Sequence, residues 1–104
     1  MHDQSAQGNE FFKCDFCRKG WSEDRPMVEG HQGSLICAPC LGIACVEQAA
    51  GTAPFRCVMC LQEGLTGSCW MSPLHAQAII CASCIAQSAD TLERDRDYGW
   101  KRPR

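Results

Sequence analysis

Eight of the ten cysteines in this chain form four Cys-x-x-Cys pairs. Two intervening residues allow both sulfurs of a pair to reach one tetrahedral ion from a single tight turn, and four thiolates complete a structural zinc site. The sequence therefore predicts two Zn²⁺ ions, each bound by four cysteines. The predicted ligands are Cys14, Cys17, Cys37 and Cys40 for the first ion, and Cys57, Cys60, Cys81 and Cys84 for the second.

A site of four thiolates favours a structural role over a catalytic one. Catalytic zinc sites keep an open position for water beside three protein ligands, which often include histidine or carboxylate. The chain contains no His-Glu-x-x-His motif and no His-x-Glu upstream of a Pro-Cys-x-x-Cys deaminase motif. A thioredoxin-type redox centre needs a βαβ scaffold, for which the chain has no room. We expect a protein that is not an enzyme and has no small-molecule substrate.

The shortness of the chain indicates that zinc would be needed for folding. The cysteines divide 104 residues into two short stretches, and units below ~40 residues seldom bury enough apolar surface to fold unaided. Residues 1–12 are polar and lack the apolar core of a secretory signal, so we expect metal rather than disulfides and a cytoplasmic location. No stretch approaches the ~20 apolar residues of a membrane span.

The second half of the chain repeats the first. Phe-Lys-Cys-Asp-Phe-Cys at 12–17 matches Phe-Arg-Cys-Val-Met-Cys at 55–60, and Ile-Cys-Ala-Pro-Cys at 36–40 matches Ile-Cys-Ala-Ser-Cys at 80–84. Each copy contains its own four ligands. The repeat predicts a disordered N-terminus (1–10), a first zinc finger (11–50), a linker (51–54), a second zinc finger (55–97) and a basic tail (98–104).

Each copy has the pattern of a small metal-stabilised α+β finger. The first Cys pair predicts a tight turn, or knuckle. Short strands are predicted at 27–29 and 34–36 in the first copy, and at 68–72 and 78–80 in the second. Helices are predicted over 38–48 and from 82 to about 97, with the second Cys pair in the first turn. Knuckle, hairpin and helix in this order are the treble-clef arrangement, here twice in sequence.

The first copy contains Cys-Asp-Phe-Cys-Arg-Lys at 14–19, Leu-Ile-Cys-Ala-Pro-Cys-Leu at 35–41 and Cys-Val-Glu at 45–47. With these motifs it resembles the zinc-binding domain at the N-terminus of the ClpX unfoldase family, with Cys45 one position later than in that family. It covers residues 12–48 and, more loosely, 55–90. It implies a zinc module that dimerises and docks adaptors or substrates. No Gly-x-x-x-x-Gly-Lys-Ser/Thr phosphate loop is present, so it implies no unfolding activity.

A cross-braced module of the RING or FYVE type remains an alternative. In such modules the first and third Cys pairs share one ion, and the second and fourth pairs share the other. These modules keep the second and third pairs only a few residues apart, whereas 16 residues separate Cys40 from Cys57 here. The spacing favours sequential pairing.

The distribution of charge favours a protein partner. No Lys or Arg lies between Arg56 and Arg94, although a finger that binds nucleic acid needs cations facing phosphates. Zinc thiolates would make the protein more acidic than its formal charge of −2. The same interval is rich in apolar residues, and we expect some of them to form an exposed contact surface for another protein or a second copy. The candidates are Met59, Leu61, Trp70, Met71 and Leu74.

Two alternatives to this function stay open. A small nucleic-acid-binding zinc protein would use the cations of the C-terminal tail, with Trp100 stacking on a base. A redox switch would lose zinc when its thiolates are oxidised. Cys45 and Cys69 fall outside the four pairs and are predicted to be packed thiols, and His31 and His75 are predicted to be solvated turn residues.

Overall fold

A computed structural model describes residues 12–50, 54–95 and 98–103. The predicted disordered N-terminus and most of the predicted linker lie outside these residues. No helix within the described part is long and apolar enough to cross a membrane. The chain is a small α+β protein whose elements are β1 (Met27–Glu29), β2 (Leu35–Cys37), α1 (Ala38–Glu47), β3 (Ala49–Ala50), β4 (Ser68–Met71), β5 (Ile79–Cys81) and α2 (Ala82–Glu93).

The two copies of the sequence repeat fold into two similar structural units. Unit one (residues 12–47) contains the antiparallel hairpin β1–β2 followed directly by α1, and unit two (residues 54–93) contains the antiparallel hairpin β4–β5 followed directly by α2. Val28 lies opposite Ile36 in the first hairpin, and Trp70 lies opposite Ile80 in the second. These four side chains are buried, so one face of each hairpin packs into the core.

Both helices are shorter than their apolar patterns predict. Helix α1 ends at Glu47, and α2 ends at Glu93 rather than near residue 97. The N–H of Arg94 still donates to the carbonyl of Asp90 at 3.2 Å, but Asp95 is no longer helical. The apolar pattern also does not show that Arg102, nine residues beyond Glu93, contacts the last turn of the helix.

Strand β3 was not predicted. It leaves α1 of unit one and pairs antiparallel with β4 of unit two, with Ala49 opposite Cys69 and Ala50 opposite Ser68. The sheet of unit two therefore has three strands, whereas that of unit one has two. A segment of two alanines has no alternating apolar pattern from which a strand could be predicted. This strand is recognised only by its pairing with β4.

The two units pack on each other in a reciprocal way. At the hairpin turn of unit one, the N–H of His31 donates to the carbonyl of Met59 in the knuckle of unit two at 2.7 Å. Ser72, which directly follows β4 of unit two, donates its hydroxyl to the carbonyl of Phe16 in the knuckle of unit one at 2.5 Å. A Cβ on Gly30 would lie 2.6 Å from the Met59 carbonyl oxygen, so this approach requires glycine.

This packing corrects two of the predicted partner-binding residues. Met59 is 3% exposed and Trp70 is 5% exposed, and the Trp70 ring lies 5.6 Å from the Phe16 ring of the other unit. The Trp70 side chain therefore lies at the contact between the units, and neither Trp70 nor Met59 is part of an exposed surface. Leu61 is half-buried. Only Met71 and Leu74 of the five candidates are exposed.

The C-terminal segment, residues 98–103, packs beside both helices: Arg102 contacts α2, and Tyr98, Trp100 and Pro103 lie beside α1. The guanidinium of Arg102 contacts the carboxylates of Asp90 and Glu93, and its backbone N–H donates to Glu93 at 2.9 Å. Trp100 packs against the core. The predicted basic tail is thus, as far as it is described, a strap that packs on the protein rather than a free cationic end.

Candidate metal centres

The first four predicted ligands lie together at one end of unit one. The sulfurs of Cys14, Cys17, Cys37 and Cys40 all lie within 4.8 Å of one another. The Cys17 and Cys37 sulfurs are 3.6 Å apart. Four thiolates at Zn–S distances of about 2.3 Å place their sulfurs about 3.8 Å apart in a tetrahedron. The spacing and chemistry of the four side chains therefore fit one zinc ion.

A tight turn positions the first pair of ligands. The N–H of Arg18 donates to the carbonyl of Cys14 at 2.8 Å, and the N–H of Cys14 donates to the carbonyl of Lys19 at 3.0 Å. Arg18 has a φ of 65°, in the left-handed region that non-glycine residues adopt in few places. This turn closes the chain on itself, so that both sulfurs of the pair point to the same side.

The junction of strand and helix positions the second pair. Cys37 is the last residue of β2 and the N-cap of α1, and Cys40 lies in the first turn of that helix. The partial positive charge at a helix N-terminus stabilises thiolates. The N–H groups of Phe16 and Cys37 each donate to the Cys14 sulfur at 3.3 Å. The Asp15 carboxylate accepts the Leu35 N–H at 2.8 Å and fixes the knuckle on the hairpin.

Unit two repeats these contacts around the other four cysteines. Cys57, Cys60, Cys81 and Cys84 also have all their sulfurs within 4.8 Å of one another. The N–H of Leu61, at a φ of 64°, donates to the carbonyl of Cys57 at 2.8 Å. The N–H of Cys81 donates to the Cys57 sulfur at 3.4 Å. The sequence repeat therefore extends to individual hydrogen bonds, and this group fits a second zinc ion equally well.

The grouping follows the predicted sequential order. Each group joins two consecutive Cys pairs, which is not the arrangement of a cross-braced module. Cys45 and Cys69 belong to neither group, as predicted, and both are half-buried. His31 is exposed and His75 is half-buried, and neither is among the side chains that the described residues bring together as candidate ligands.

The thiols of the first group differ strongly in acidity before metal binds. Hydrogen bonds from Cys14 and Cys40, a backbone N–H and the Arg25 guanidinium lower the pKa of Cys37 to about 2. The Arg25 nitrogen lies 3.7 Å from the Cys37 sulfur. The hydrogen bond to Cys37, together with burial, raises the pKa of Cys14 to about 12, and hydrogen bonds to Cys14 and Cys37 raise the pKa of Cys40. Cys37 is therefore the most acidic of these three thiols.

In the second group, too, one thiol has a lowered pKa and others have raised pKa values. Burial disfavours the Cys57 thiolate, but backbone N–H groups that include that of Cys81 donate to its sulfur and lower its pKa. Burial raises the pKa values of Cys81 and Cys84. For Cys84, the charge of Cys57 raises the pKa further. In both groups, zinc must displace protons from the thiols of raised pKa.

Acid should therefore release zinc from both groups. Each bound thiolate has lost its proton, so protons compete with the cation, and the competition is strongest at thiols of raised pKa such as Cys14. We expect the apparent zinc affinity to fall steadily between about pH 8 and pH 5, with more than one proton taken up per ion released. Zinc competition with a chromophoric chelator at several pH values measures this slope. A pH-independent affinity would contradict thiolate ligation.

Comparisons of the chain with family models, with curated proteins and with solved structures find no match. The resemblance of the first copy to the ClpX zinc domain therefore stays a prediction from its motifs.

Proposed function

We propose that this chain is a tandem zinc protein of two treble-clef fingers, each with four cysteine ligands, that binds another protein and catalyses no reaction. Two ions with four thiolates each would hold the knuckle, hairpin and helix of their unit together. The donor set supports a structural role, because a closed thiolate site leaves no position for water or substrate. The inferred contact surface is formed by helix α1 and the C-terminal strap.

The observation that carries this proposal is an apolar groove along the outer side of α1. The buried side of the helix packs into the core through residues that include Leu41 and Ala44, whereas Ile43 and Val46 face outward and are 45% and 63% exposed. The groove has a volume of about 650 Å³. We call it the α1 groove, and its lining includes Pro26, Pro39, Ile43, Val46, Tyr98 and Trp100.

The chemistry of the α1 groove points to one kind of occupant. The aromatic and branched side chains in its lining suit an apolar segment of a partner, because aromatic residues dominate the energetics of such contacts. Its lining also contains the carboxylates of Asp24 and Glu47. We therefore infer a partner segment with apolar side chains flanked by a basic residue, for which these carboxylates provide charge complementarity.

Substitution of Val46 by Glu tests this surface. We expect binding to be lost while both ions are retained, because the change places a charge in an apolar contact and lies outside both Cys groups. A photo-crosslinking residue at position 46 captures the partner, and competition by a synthetic segment of the captured protein measures its affinity.

Leu74→Glu is the matched control, since Leu74 is 67% exposed and lies outside the groove lining. Binding that survives Val46→Glu, or needs Leu74, would contradict the proposal.

Two other occupants are distinguished by the same experiment. A second copy would appear as a dimer in light scattering that Val46→Glu makes monomeric. Nucleic acid would appear as a gel shift that weakens steeply with salt. The strap offers less cationic surface than its sequence suggests, because Arg102 already contacts Asp90 and Glu93.

A further inference from the structure

A thiol that is not a predicted ligand lies directly across the sheet from one that is. Cys69 of β4 is paired in register with Cys81 of β5, a predicted ligand in the second group. Directly opposed residues of antiparallel strands have their side chains on the same face and their Cα atoms about 4.5–5.5 Å apart. A disulfide spans Cα separations of about 4.4–6.8 Å. The register therefore places the Cα atoms of Cys69 and Cys81 at a separation that a disulfide can span, and rotation of the side chains would bring the two sulfurs together.

Unit one lacks this pair. The residue opposite Cys37, which corresponds to Cys81, is Met27. Cys37 is also fully buried, whereas Cys81 is partly exposed. The two groups therefore share ligand type, spacing and hydrogen bonds, but only the second has a neighbouring thiol opposite a ligand that solvent can reach.

We propose that Cys69 and Cys81 form an oxidation site, in which a hydroperoxide converts the pair to a disulfide and the second group loses its zinc. The inference goes beyond partner binding and is independent of the α1 groove. It rests only on the second group holding a metal ion, which a zinc measurement establishes before any oxidant is added.

The chemical step uses both sulfurs of the pair. The Cys81 thiolate attacks one oxygen of hydrogen peroxide, the O–O bond breaks, hydroxide leaves, and Cys81 becomes a sulfenic acid. The Cys69 sulfur then attacks the Cys81 sulfur, the S–O bond breaks, and the oxygen leaves as water with the Cys69 proton. The two thiols supply the two electrons that reduce the peroxide. Cys81 can no longer act as a ligand, and three thiolates remain in a site that needs four.

Zinc release from the holoprotein tests the proposal. We expect a modest excess of hydrogen peroxide to release one ion per chain while the other is retained, as followed with a chromophoric chelator. Mass spectrometry of an alkylated digest should find the peptides of Cys69 and Cys81 joined. A dithiol reductant with added zinc should restore two ions. Release of both ions together, or disulfides that join only ligands to each other, would overturn the proposal.

Three variants make the test specific to Cys69. Cys69→Met, which introduces the side chain found opposite Cys37 in unit one, should retain both ions under the same peroxide exposure. Cys69→Ser provides the same comparison if the larger side chain disturbs the sheet. Cys45→Ala is the matched control, because it removes the other non-ligand thiol and should lose one ion as the unmodified protein does. Loss of zinc from either Cys69 variant at the unmodified rate would refute the role of Cys69.

Discussion

Cys37→Ala should abolish zinc binding at the first group and unfold unit one. A structural zinc site contributes on the order of 10 kcal/mol to folding, whereas small domains are stable by only about 5–15 kcal/mol. The substitution also removes the acceptor of the Arg25 guanidinium, whose nitrogen lies 3.7 Å from the Cys37 sulfur. Circular dichroism should show reduced helix content, and metal analysis should find at most one ion per chain.

Cys45→Ala is the control for this substitution. Cys45 lies on the same helix as Cys40 and has the same thiol, but it belongs to neither group. The control should keep both ions and its helix content, with a stability change no larger than that of an ordinary half-buried side chain. A Cys37→Ala protein that stays folded with two ions would show that the first group is not a zinc site.

Trp70→Ala should produce the largest destabilisation of any change outside the two Cys groups. Truncation of a buried tryptophan costs about 3–5 kcal/mol, because apolar contact is lost and a cavity remains. Trp70 packs on Phe16 of the other unit, so the loss falls on the contact between the units. Chemical denaturation should show a lower midpoint, and hydrogen exchange should accelerate in the knuckle of unit one while both ions are retained.

The neighbouring residue provides a matched control for Trp70. Met71 is the next residue on β4, and its side chain is 51% exposed. Met71→Ala should change stability by no more than about 0.5 kcal/mol, as exposed substitutions do. Equal effects of the two changes would mean that Trp70 does not hold the units together.

The two groups of metal ligands can be predicted from sequence because they depend on the spacing of cysteines that are close together in the chain. The two-residue spacing of each Cys pair sets the turn that brings its sulfurs together, and the repeat assigns consecutive pairs to one group. The hairpins and helices follow for the same reason, since their apolar patterns lie within one copy. Each helix begins at the residue after a ligand, at Ala38 and Ala82, where the Cys pair predicts it.

The contacts between the units could not be predicted in the same way. The sequence shows that unit two has more apolar residues than it can bury, but not that Trp70 meets Phe16 or that Met71 stays outside. Strand β3 depends on a partner strand from the other unit, and the strap depends on Asp90 and Glu93 being accessible along α2. These features are set by the three-dimensional arrangement of distant segments.

The reciprocal contacts at His31–Met59 and Ser72–Phe16 give the molecule an approximate internal two-fold relation. Two like modules that would otherwise have to find each other by diffusion are joined by one polypeptide, so each experiences the other at an effective concentration in the millimolar range. Their pairing should survive dilution to levels at which free modules would separate. The sides of the hairpins and knuckles that meet in this intramolecular pairing are not accessible, so recognition of an outside molecule has to use other faces.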